Sequence, residues 1–248
     1  MNPRFRISAA LLGSLTLSIS LVSAAAAQES RVISEVEARR AMTQAIQLDA
    51  RARGILERAS KSYAQMRTLA VETRVPGAES YLALKRGELY QLINRKASRE
   101  LISFAVCDGK TLYEYGEQSR QWIERDSALL KRWVVPPPAR LFLDPRGWGA
   151  AMVGRDGRPA VREVAFRHGG RESWDGRPAE VLLVDILARA GAEWRIFTAR
   201  RYFSPVSGLL IGYRNGHQTF KLKNTPNKPM KASDFRFTPV PGATKALG

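Results

Sequence analysis

The stretch CDGKTLYEYGEQSRQWIERD, Cys107 to Asp126, can be read in two ways, and the choice decides the fold class. Gly109-Lys110-Thr111 is the end of a phosphate-binding loop if a glycine stands five residues earlier, because consecutive backbone N–H groups must curl around the phosphates. Position 104 is Phe104. Asp108-Gly109 instead lies between two runs rich in β-formers, which is the signature of a tight hairpin, since glycine tolerates positive φ. The hairpin reading makes the chain a β-protein with no nucleotide motif.

The same signals recur on both sides. Leu69, Val71, Thr73 and Val75 alternate with Ala70, Glu72 and Arg74 before a turn at Pro76-Gly77. Leu82, Leu84 and Arg86 share one parity, which continues to Glu88, Tyr90 and Leu92 as one run. Further strands are expected at 100–107, 110–115, 120–125, 161–168, 178–187, 193–203, 208–215, 217–224 and 233–238. Asp175-Gly176 and Asn215-Gly216 mark more tight turns. Many strands at short spacing form an antiparallel sheet large enough to curl.

Two segments break the pattern. Residues 34–66 read as helix. Ser34-Glu35-Val36-Glu37 fits a capping box, and Leu48, Ala52, Ile55, Ala59, Tyr63 and Met66 form one apolar stripe. Asp49 can cap a second helix, with a break near 48. Residues 127–153 separate the two strand groups. Pro136-Pro137-Pro138 stops any regular element there. Short helices at 139–143 and 147–153 would carry Leu141, Phe142, Leu143, Trp148, Met152 and Val153 over one sheet face.

Residues 1–27 differ from the rest. Arg4 and Arg6 precede an apolar run, Ile7 to Val22, that ends in Ser23-Ala24-Ala25-Ala26-Ala27. That is the layout of a secretory signal peptide cleaved before Gln28, with an uncleaved membrane anchor as the alternative. The expected organisation is therefore a signal peptide, 1–27, and a single domain, 28–248, in the periplasm. Cys107 is the one cysteine, so no internal disulfide forms, and its place at the end of an apolar run makes it a buried thiol.

The 248-residue chain carries a net charge of +17, and removing Arg4 and Arg6 from that leaves +15. Such a charge favours polyanionic surfaces. In an exported protein the expected partner is an anionic membrane surface or an acidic envelope protein rather than nucleic acid, with a solvated basic face that has no specific partner as the alternative. Aromatic and basic residues interleaved as in Trp194-Arg195-Ile196-Phe197 suit single-stranded nucleic acid, but in a β-protein they describe a strand with one buried and one wet face. His168 and His217 stand apart from any cluster with metal-ligand spacing, and no G-x-S-x-G or comparable context is present. No cofactor, metal or catalytic residue is expected. A hydrolase with dispersed catalytic residues is a rival that no motif supports.

Arg86 is the unusual residue. In phase with Leu82 and Leu84, it points into their apolar face and needs several acceptors there. Alternatively Gly87 introduces a bulge that turns it outward.

The order of parts resembles the LolA-like outer-membrane lipoprotein-sorting proteins and their relatives. The matching places are Lys85-Arg86 in LALKRGELYQL, Asp108 to Leu112 in VCDGKTLYEY, and Phe235 to Gly242 in DFRFTPVPGA. Gly87 and Val240 stand where the family commonly has prolines. The resemblance implies an α+β fold, a curved antiparallel sheet forming an incomplete barrel, with helices covering the concave face. It implies a non-enzymatic carrier of acylated ligands, lipoproteins among them, in an apolar cavity under a helical lid. A lipid sensor or accessory regulator of the same fold, acting through protein contacts, is the other role it offers. In the carrier, an arginine at the place of Arg86 bonds to the lid, which favours the inward reading. The acyl ligand and lid are expected to meet Arg86, Leu84, Phe104, Ile55, Tyr63, Leu141 and Phe142. Ile102, Phe104 and Val106 alternate with the apolar Leu101, Ala105 and Cys107, so both faces of that strand seek cover.

Overall fold

A computed structural model describes residues 30–246 except 88, 131, 133 and 155–157. The expected signal peptide and its cleavage site lie outside the described residues.

Strands β3 (Thr68–Val75), β4 (Ala78–Lys85), β5 (Leu89–Lys96), β6 (Leu101–Asp108), β7 (Thr111–Gly116) and β8 (Gln121–Asp126) form one antiparallel meander. A second consists of β10 (Pro159–Trp174), β11 (Arg177–Ala190), β12 (Glu193–Phe203), β13 (Leu210–Asn215) and β14 (Gln218–Pro226). The last strand of the second pairs antiparallel with the first strand of the first, Leu222 opposite Thr73. The sheet is therefore continuous but unclosed. One edge ends at β8 and the short β15 (Thr244–Lys245). The other ends at β10, which is flanked by β2 (Gln47–Leu48) and β9 (Met152–Val153). A further short strand, β1 (Arg31–Ile33), pairs with the free start of β12.

The Gly109-Lys110 dipeptide is the corner of the β6–β7 hairpin, with Cys107 opposite Leu112. Gly109 takes φ +93°, and Asp108 Oδ1 accepts the N–H groups of Lys110 (2.9 Å) and Thr111 (2.8 Å). The aspartate side chain thus closes the turn. The run expected from Leu82 to Leu92 is two strands. The chain reverses at Arg86-Gly87, where Gly87 adopts φ +94°, and Leu84 faces Tyr90. Parity survives the reversal, which is why the alternation read as unbroken.

Helix α1 (Glu35–Thr43) begins at the predicted capping box, with Ser34 and Glu37 each satisfying the other's backbone N–H. Helix α2 (Ala50–Ala64) begins at Asp49, whose carboxylate accepts from Ala52 N at 2.7 Å. The break between them falls at 44–49. Helix α3 (Pro137–Leu143) starts on the triple proline, where a missing N–H costs nothing in the first turn. The helix expected at 147–153 is absent. Turns and β9 occupy that span, because Met152 and Val153 pair with the edge of β10.

Helices α2 and α3 lie against one face of the sheet. Ile55, Leu56, Ala59 and Tyr63 share a core with Leu69, Leu84, Tyr90, Cys107, Leu112, Phe166 and Leu182. Burial of each large side chain contributes roughly 1.5–3 kcal/mol. The opposite face of β4–β6 is covered by the C-terminal segment. Phe235 is fully buried among Ala83 and Val106, and Phe237 stacks on Tyr113 at 4.5 Å. The strand expected at 233–238 is instead a 3-10 turn (Ala232–Phe235) followed by irregular chain. Pro239 and Pro241 lack the donors a strand needs. Both faces of β6 are covered, as its two apolar parities require.

Candidate functional site

Arg86 sits where the β4–β5 hairpin meets the ends of two helices. Its Nε donates to Met66 O (3.1 Å), Nη2 to Tyr63 O (2.7 Å) and Nη1 to Phe142 O (2.7 Å). The guanidinium also lies 4.3 Å from the centre of the Phe142 ring. Tyr63 and Met66 are at the C-terminal end of α2, and Phe142 is at that of α3. The last carbonyls of a helix have no partner within it and carry the negative end of its dipole. One cation thus caps two helices and ties both to the sheet. Burial lowers the Arg86 pKa, but a guanidinium remains charged.

Ile55, Tyr63, Leu84, Leu141 and Phe142 are brought together around this clamp as buried members of one core. None of them lines the cavity on the concave face. Phe104 is elsewhere: it lies on the outer face, 5.2 Å from Tyr115 and 5.8 Å from Phe237. Its parity is opposite to that of Ala105 and Cys107, so it cannot reach the helices.

The cavity lies further along the concave face, toward the β3–β4 turn, with a volume of about 130 Å³. Val75, Leu82, Leu92, Ile186, Tyr213 and Phe220 supply its floor and walls from the sheet. Val134, Val135, the three prolines and Met152 cover it. Helix α3 therefore serves two places. Its N-terminal end walls the cavity, and its C-terminal end is held by Arg86.

Polar groups interrupt the apolar lining, among them Asn94, Asn215, Glu163 and the arginines Arg140, Arg189, Arg195 and Arg201. Asn94 accepts from Ser80 Oγ (2.8 Å) and donates to Ser103 Oγ (2.9 Å). Arg201 pairs with Glu163 across the wall, and Arg140 donates to Gly147 O at 2.8 Å. Burial pushes the Tyr213 phenol upward, with Arg201 opposing, so it stays protonated. Among the described residues no group of three or more His, Cys, Asp or Glu could hold a metal. No helix among them is long and apolar enough to cross a membrane.

Sequence reasoning missed the cavity wall. Leu82 and Leu92 share the parity of Leu84, so the same alternation followed toward the other end of the strands reaches them. Arg201 was hidden by Arg200 beside it, since a doublet does not show which residue points inward. The triple proline signals a stop, and that signal does not place it over a cavity.

No family model and no curated protein matches the chain. Solved structures are similar to it. An uncharacterized conserved protein from Thermus thermophilus has a TM-score of 0.44 at 13% identity, over 79% of this chain and 98% of that one. The Mycobacterium tuberculosis lipoprotein LppX has 0.44 at 12%, over 74% and 99%. A LolA superfamily protein from Nitrosomonas europaea has 0.29 at 15%, over 75% and 97%. At these values the likenesses decide nothing about ligand or activity. The strand order and helix placement of this chain are those of an unclosed, curved antiparallel sheet with helices on its concave face, the LolA-like architecture that the sequence resemblance implied.

Proposed function

We propose that the protein is a non-enzymatic periplasmic carrier or binder of acylated ligands, lipoproteins among them. The observation that supports this reading is the apolar cavity whose cover, α3 and the chain before it, is pinned at one point by Arg86. A pocket with a mostly apolar lining suits an acyl chain. Its volume of about 130 Å³ is close to the ~150 Å³ of a cavity that holds one benzene. A long chain therefore requires residues 134–138 and 152–153 to move outward, and the clamp sets the cost of that movement. The basic surface would hold the carrier on anionic membranes, where cargo is taken up or given over.

Native mass spectrometry of protein purified from its own envelope tests the reading. An acylated molecule that co-purifies and leaves on delipidation is expected. Protein that emerges at its bare mass, and that takes up no acyl compound afterwards, contradicts it.

A further inference from the structure

The cavity contains a buried ion pair that packing alone does not call for. Arg201 on β12 and Glu163 on β10 are each 6% exposed and bonded to one another. Burying such a pair costs desolvation that its attraction often fails to recover, and apolar residues of similar volume commonly serve stability as well or better. The pair is also incompletely used. A guanidinium has five N–H donors, and the one protein acceptor of Arg201 among the described residues is Glu163 Oε1. Among those residues the enclosed side-chain nitrogens without a partner are Trp148 Nε1, Arg189 Nε and Arg200 Nε; those of Arg201 do not belong to that set, nor do the oxygens of Glu163. The spare donors of Arg201 and the second oxygen of Glu163 therefore open onto the cavity they line.

Resting on the acyl-binding reading, we propose that this pair is the polar recognition element of the cavity, and that it selects neutral acyl esters and amides over free fatty acids. Glu163 neutralises Arg201; of the other arginines that line the cavity, Arg140 pairs with Asp144 and Arg195 with Glu193, and Arg189 lines it as well. A carbonyl oxygen can accept from the spare N–H groups without bringing charge, and a neighbouring hydroxyl or amide N–H can donate to Glu163. A carboxylate would have to shed its water and sit beside the Glu163 carboxylate, where like charges repel at low dielectric. The substrate class is thus a chain that enters the apolar part with its ester or amide carbonyl at Arg201.

The test compares 1-decanoylglycerol, its ether analogue 1-decylglycerol, which lacks the carbonyl, and decanoate, all on delipidated full-length protein. The ester should bind about tenfold tighter than the ether, the loss expected for one hydrogen bond to a charged group. Decanoate should bind more weakly than the ester. Glu163→Gln should raise decanoate affinity about tenfold by freeing the cation. In the double variant Arg201→Met/Glu163→Leu, which removes both charges and keeps the wall apolar, ester and ether should bind equally. Equal binding of ester and ether by the unaltered protein would overturn the proposal while leaving acyl binding intact, as would an ester preference that survives in the double variant. Failure of all three probes to bind would overturn both readings.

Discussion

Replacing Arg86 by Leu keeps an apolar stem and removes every donor from the clamp. Three carbonyls, at Tyr63, Met66 and Phe142, lose their cationic partner. Each bond from a charged donor to a neutral carbonyl is taken at about 1–1.5 kcal/mol net, the low end because water reaches this partly buried site, so the loss of three is about 3–4.5 kcal/mol. That is a large share of a stability of ~5–15 kcal/mol. With a urea dependence of about 3 kcal/mol per molar, the unfolding midpoint should fall by roughly 1–1.5 M. The loss should also be local in the native state. Amides of residues 139–144 and of the end of α2 should exchange much faster, while those of β11 and β12 should follow global stability alone. Arg86→Lys keeps the charge but cannot reach three acceptors as a planar fork does, and should lose about half as much. A midpoint shift below ~0.3 M, with unchanged exchange at 139–144, would refute the clamp.

Three further outcomes are expected. Phe235→Ala removes the fully buried ring that seats the C-terminal segment; it should cost about 3–5 kcal/mol and open residues 227–246 to limited proteolysis. Asp49→Ala should destabilise by about 1 kcal/mol as a lost helix cap. Backbone N–H bonds, that of Ala52 first, hold the Asp49 pKa below its ordinary 3.8. Its contribution is therefore whole above that value and is lost as pH falls through the lowered one, so the acid side of the stability profile should flatten in Asp49→Asn. The net charge of +15 that remains without Arg4 and Arg6 should make the protein co-sediment with anionic vesicles in low salt and dissociate in high salt, where the Debye length shrinks to ~3 Å at 1 M; equal binding to neutral vesicles would contradict a docking role for charge.

Local chemistry made most of this architecture legible. Asp108-Gly109, Asp175-Gly176 and Asn215-Gly216 each close a hairpin because their backbones reach positive φ cheaply. The capping box at Ser34 and the cap at Asp49 set where both leading helices begin. Arg86 could be singled out because a charge in an apolar phase must have a reason, and its three carbonyl acceptors supply one. What escaped depended on long-range fit. The outer-face position of Phe104 follows from which parity the helices cover, and a strand apolar on both faces does not reveal that. The irregular course of 236–243 follows from lying across a sheet rather than pairing in it. The cavity exists where the insert fails to fill the curved sheet, and a gap leaves no mark on the residues around it.

Affinity as a function of acyl chain length is the most direct measurement of the carrier account. Delipidated protein would be titrated with acyl glycerols of increasing length, each below its aggregation threshold. Every methylene moved from water into the cavity contributes roughly 0.8 kcal/mol, or about fourfold in affinity. The account predicts a rising series, steeper in Arg86→Leu, where opening the cover costs less. Binding that is independent of chain length, or absent at every length, would contradict it and leave the cavity a packing defect in a scaffold that works through its basic surface.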